Sequence, residues 1–161
     1  MNIIIITIGF ILDTILSLYI PTTSYFIPLL TITNIYLIYN RKEETKYFIT
    51  IAALGLIYDL IHTNLLFYHL VIFLILAFIT KIIHKNLKQT KITTIIYISI
   101  IIIIYEFLNI TILSMYQKNI FIINNLLNKI KHSLLLNQIY SLIIYNYIKK
   151  THKKKYLSIN F

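Results

Sequence analysis

Long apolar runs alternate with short polar clusters along the chain, and the alternation predicts six helices that cross a bilayer. The first run, Ile3–Ile20, stops at Pro21. The second, Tyr25–Asn40, carries Pro28 in its expected first turn, where a missing N–H does least harm. A solvated cluster, Arg41–Lys46, comes next. The third and fourth runs, Tyr47–His62 and Leu65–Ile83, are parted only by Thr63-Asn64 and read as a helical hairpin. Lys81, His84, Lys85, Lys88 and Lys91 form the following basic stretch. Ile92–Tyr116 is long enough to cross with tilt. In Asn119–Lys131 the apolar Ile123, Leu126, Leu127 and Ile130 fall at helical spacing, with Asn124, Asn125, Asn128 and Lys129 opposite. That segment reads either as an interfacial helix or as a loop helix capping the bundle. The sixth run is Ser133–Ile148, and 149–161 is a basic tail. Residues 1–148 thus form a single all-α, polytopic transmembrane domain of six helices.

Within the runs, the small and polar residues line up. Gly9, Asp13 and Ser17 fall at i, i+4 and i+8. Ala52, Gly55, Asp59 and His62 share one stripe, and Ser133, Asn137, Ser141 and Tyr145 repeat every four residues. Thr31 and Asn34 mark one side of the second run, and Glu106 sits with Asn109 and Ser99 in the fifth. A carboxylate near a helix centre costs roughly 2.5–3.5 kcal/mol on the insertion scale, so such residues turn toward other helices, where small neighbours let backbones come close.

Composition sharpens this reading. The chain is 58% hydrophobic and 12% charged, against about 25% charged in soluble domains. Three of its five acidic residues, Asp13, Asp59 and Glu106, lie inside runs that contain no lysine or arginine short of their ends. Asp13, Glu106 and Asn109 are therefore candidate buried polar groups. Pro28, Gly55, Asp59, His62 and Asn137 are candidates for helix packing or partner binding. Polar contact between helices or with a partner is the favoured role; a proton or substrate pathway is the sharper alternative. Asp59, His62 and His69 could be imagined around a metal, but D-x-x-H is a weak signal, and hydrogen bonding near the outer surface is the simpler reading. H-E-x-x-H, G-x-S-x-G and a P-loop are missing, so neither an enzyme nor a cofactor is expected. The chain has no cysteine, which excludes disulfides and thiolate chemistry. The first run lacks a basic leader and a small-residue cleavage site and reads as a retained span.

Charge sets orientation. With six spans, twelve lysine and arginine residues fall at the end that holds the termini and three at the other. This predicts a multi-pass protein of the cell membrane with both termini in the cytoplasm. The net charge of +10 then faces anionic lipid headgroups rather than nucleic acid.

Three stretches carry a resemblance. Phe26-Ile-Pro-Leu-Leu30 places a proline before aliphatics. Gly55-Leu-Ile-Tyr-Asp59 and the following Leu65–Phe78 form a G-x-x-x-D hairpin, though Thr63–Tyr68 contains no glycine. Leu135-Leu-Asn137 through Tyr145 puts an asparagine in the last span. In these the chain resembles the rod shape-determining protein MreD family. The resemblance implies a non-enzymatic subunit of the bacterial cell-elongation machinery that scaffolds peptidoglycan synthesis. Its implied partners are an MreC-like single-span protein and the peptidoglycan synthases of the elongation complex; the chain could also form an oligomer. It also implies a bundle similar to the substrate-binding subunits of energy-coupling-factor transporters. The alternative function is such a subunit itself, binding a vitamin-type small molecule.

Overall fold

The computed structural model describes residues 3–19, 28–63, 65–86, 90–117 and 123–157. Six α-helices occur among them: α1 (Ile3–Tyr19), α2 (Leu30–Leu37), α3 (Glu44–His62), α4 (Tyr68–Asn86), α5 (Lys91–Gln117) and α6 (Ile123–Leu157). A 3-10 turn, Arg41–Glu43, leads into α3.

The shortest helix is the central one. α2 has eight residues, all buried, and packs against α1, α4, α5 and α6. At 1.5 Å per residue it is about 12 Å long, under half the thickness of a hydrocarbon core. Its Ile32, Ile35 and Tyr36 belong to one buried apolar cluster with Ile72, Phe73 and Leu76 of α4 and Ile98, Ile101 and Ile102 of α5. Around this centre α3 pairs with α4, and α5 with α6. α1 runs antiparallel to α2, since Ile5 meets Asn34 while Asp13 meets Leu30.

Apolar side chains fill the core and also cover the outside, while carboxyl groups are buried. α1 exposes Ile4, Ile8, Ile11, Leu12, Ile15 and Leu18, whereas Asp13, Asp59 and Glu106 are only 3%, 0% and 2% exposed. Windows in α4 (Tyr68–Lys85) and α5 (Lys91–Ile112) are long and apolar enough to cross a membrane, and Ile4–Tyr19 is a shorter apolar helix.

Four sequence expectations are revised. The second helix begins at Leu30, and Pro28 stands before its N-cap residue, Leu29, instead of in its first turn. The Leu29, Leu30 and Thr31 N–H groups are taken by Asn137 and Asp13, and those bonds fix where the helix begins. The expected starting point, Tyr25, lies outside the described residues. The α3–α4 connection runs from Thr63 to Phe67 rather than over two residues (Asn64 lies outside the description), and α4 starts at Tyr68 instead of Leu65. The reason is that Asp59 receives the N–H groups of His69 and Leu70, which fixes where the helix begins. Residues 123–131 are not a separate interfacial or capping helix but the first turns of α6, which has no break at His132. All the glycine and proline of the chain lies before residue 56, so nothing stops a helix once it has begun at Ile123; 119–122 lie outside the description. For the same reason the basic tail from Lys149 continues as helix to Leu157, with 158–161 outside it.

Candidate functional site

A helix begins with backbone N–H groups that have no partner of their own, and in a membrane interior water cannot supply one. Two of the helices here have their first N–H groups bonded by side chains from other helices.

The first is α2. Asp13 of α1 accepts from the Leu30 N–H at 3.1 Å and from the Thr31 N–H at 3.0 Å. Asn137 of α6 accepts from the Leu29 N–H at 3.0 Å, and its amide nitrogen donates to the Ser133 carbonyl. Three helices thus meet at one polar node. The positive end of the α2 dipole suits the carboxyl group placed there. The same helix is held further along: Asn34 donates to the Ile5 carbonyl and accepts from the Tyr140 hydroxyl, and the Tyr47 hydroxyl donates to the Ile35 carbonyl at 2.9 Å.

The second is α4. Asp59 of α3 accepts from the His69 N–H at 2.8 Å and from the Leu70 N–H at 3.4 Å. It also meets the His69 ring Nδ1 at 2.8 Å and accepts from the Thr63 hydroxyl. Beyond it, His69 Nε2 lies 3.4 Å from the Tyr105 hydroxyl.

Each carboxylate has a glycine one turn before it. A Cβ on Gly55 would stand 2.6 Å from the Leu70 Cα and 2.9 Å from its nitrogen, so only glycine lets α4 come near enough for Asp59 to reach. A Cβ on Gly9 would meet the Asn34 amide at 1.9 Å. G-x-x-x-D thus occurs twice with a capping aspartate: Gly55 admits the backbone of the helix that its aspartate caps, whereas Gly9 makes room for the Asn34 side chain of α2.

The other sequence candidates separate. His62 does not join Asp59 and His69. It stacks on Tyr58, with ring centroids 4.2 Å apart, and meets the edge of Phe10. Among the described residues no cluster of three or more metal-ligating side chains forms. Asn109 accepts the Tyr68 hydroxyl, tying α5 to the start of α4. Glu106 is buried beside these groups. One of its oxygens has no hydrogen-bond partner among the described residues, and Lys129 of α6 is near enough to act on it electrostatically. Sequence reasoning missed Tyr140, Tyr47 and Tyr105 as polar partners, because tyrosine is too common here for any one to stand out (14 in the chain).

The turn without glycine carries strain. Phe67, the residue before α4, has φ 67°, a left-handed conformation that costs an L-residue roughly 1–2 kcal/mol. Phe67→Gly is expected to be more stable than Phe67→Ala by about 0.5–1 kcal/mol, once glycine's extra unfolded-state entropy is subtracted. Unfolding midpoints of the two variants in mixed micelles check this; equal midpoints would mean that the backbone there is relaxed.

The sequence profile of MreD, rod shape-determining protein MreD, matches residues 1–155. No curated protein and no solved structure matches the chain.

Proposed function

The chain belongs to the MreD family, membrane proteins with a role in rod-shape determination, and from that premise we propose that it is a scaffold subunit which positions peptidoglycan synthesis during cell elongation. The match over residues 1–155 carries the reading. The geometry supports it. The buried carboxyl groups of Asp13 and Asp59 are committed to helix N-termini, an arrangement that fixes the bundle and hence the outer surface offered to a partner. Pro28, Gly55, Asp59 and Asn137 shape that surface from within, and His62 acts by packing.

In this proposal the chain crosses the cell membrane six times as one domain, with both termini and the basic turns on the cytoplasmic side, against anionic lipid. Its partners are an MreC-like single-span protein and the peptidoglycan synthases. The bundle is proposed to share the architecture of energy-coupling-factor substrate-binding subunits, as the resemblance implies. As for a substrate-binding role, the donors that a mid-membrane helix start would offer a ligand at Leu29, Leu30 and Thr31 are already taken by Asn137 and Asp13. That observation favours the scaffold.

Depletion is expected to turn rods into wide or rounded cells, with an MreC-like protein recovered on the tagged chain from gently solubilised membranes. Depleted cells of normal width, together with no such partner, would refute the proposal.

A further inference from the structure

At the basic end of the bundle, a cleft of about 160 Å³ opens between the turn before α3 and the last turns of α4, lined by Tyr39, Arg41, Glu44, Lys81, His84 and Lys85. Its walls are held in place. Lys81 pairs with Glu44 and lies 5.9 Å from the centre of the Phe48 ring. The His84 ring rests against Tyr36 and Tyr39, at 4.7 and 4.9 Å. Glu44 is thus engaged by Lys81. Arg41 and Lys85 form no ion pair among the described residues and face the same concavity. Positive charge over an aromatic floor, with a guanidinium on one side and an ammonium on the other, is the chemistry that takes a phosphate.

The outer face of α4 indicates where the phosphate comes from. Val71, Ile75, Phe78 and Ile82 are exposed and, at i, i+4, i+7 and i+11, make one apolar stripe, which Lys85 continues at i+14. A hydrocarbon chain laid along that stripe would bring its headgroup to the cleft. We propose that the cleft retains one anionic phospholipid, its phosphate between Arg41 and Lys85 and an acyl chain along Val71–Ile82. The site rests on the membrane reading of the chain and gives the expected contact with anionic lipid a specific address.

Native mass spectrometry of the full chain released from micelles doped with phosphatidylglycerol or phosphatidylcholine tests this. One retained phosphatidylglycerol is expected, and no retained phosphatidylcholine. The double variant Arg41→Gln/Lys85→Gln is expected to lower occupancy by about tenfold to thirtyfold, the scale of two basic side chains at a headgroup. Lys42→Gln/Lys46→Gln, which removes equal charge from two nearby residues that do not line the cleft, is expected to keep the lipid. Equal loss in the two double variants, or equal retention of both lipids, would overturn the proposal. So would inorganic phosphate or an acidic peptide that binds in lipid-free micelles with the same dependence on Arg41 and Lys85, because the cleft would then serve a soluble ligand or a protein. The assay contains no wall-synthesis component, so its failure leaves the shape role standing, and cell rounding on depletion does not bear on the cleft.

Discussion

Asp59→Ala is expected to destabilise the bundle by about 3–5 kcal/mol, because it strands the His69 and Leu70 N–H groups and the His69 ring, each buried donor costing about 1–3 kcal/mol. The size of the effect is what discriminates. A side-chain hydrogen bond between membrane helices averages about 0.6 kcal/mol, so an aspartate acting as ordinary interhelical glue would cost under about 1 kcal/mol. Asp59 is fully buried, and water cannot replace it. Asp59→Asn keeps one carbonyl oxygen for the His69 N–H but turns an amide toward the remaining donors, so an intermediate loss of about 1–2 kcal/mol is expected. SDS titration of the purified variants in mixed micelles measures both. Hydrogen exchange at His69 and Leu70 should quicken in Asp59→Ala before the rest of α4 does. An alanine variant within about 1 kcal/mol of wild type would remove Asp59 from its capping role.

What could be read without coordinates follows from solvation. Asp13, Asp59 and Glu106 had no charged neighbours in their own runs, and hydrocarbon gives a carboxyl group nowhere else to go but inward. The same reasoning aligned Gly55 with Asp59 and placed Asn137 on the inner stripe of the last helix. What could not be read is which donors those side chains find. The partners of Asp13 and Asp59 are the first N–H groups of two other helices, and those groups exist only where the helices start. Pro28 precedes one start and the strained Phe67 the other, and neither gave its position to a residue. The choice of His69 over His62 was hidden for the same reason: both are within reach of Asp59 in sequence, but only His69 lies in the first turn of α4. The continuous α6 was legible in principle, since no breaker stands between Ile123 and Leu157. The change from an asparagine-rich to an apolar composition near His132 concealed it, because composition alters the environment of a helix without ending it.

Gly55→Ala tests whether close approach and capping are one device. The added Cβ would lie 2.6 Å from the Leu70 Cα, 2.9 Å from its nitrogen and 3.1 Å from the His69 carbonyl oxygen. These are all backbone atoms, so no rotamer change relieves the overlap and α4 must move away from α3. Overpacking of this kind costs about 1–3 kcal/mol, and the movement also stretches the bonds to Asp59. A loss of about 2–4 kcal/mol is expected in the same titration. Gly9→Ala provides the contrast: its Cβ meets chiefly the Asn34 side chain, which can rotate at the expense of its bonds to Ile5 and Tyr140, so a smaller loss of about 1–2 kcal/mol is expected. The decisive measurement is the double variant. If Gly55 matters because it brings the start of α4 within reach of Asp59, then in an Asp59→Ala background the capping bonds are already gone. Gly55→Ala should there cost less than in wild type by about 1 kcal/mol or more, within the range seen for residues that share a contact. Simple additivity would mean that the glycine merely makes room and the aspartate caps independently. The G-x-x-x-D spacing would then be two separate features that happen to share a face of α3.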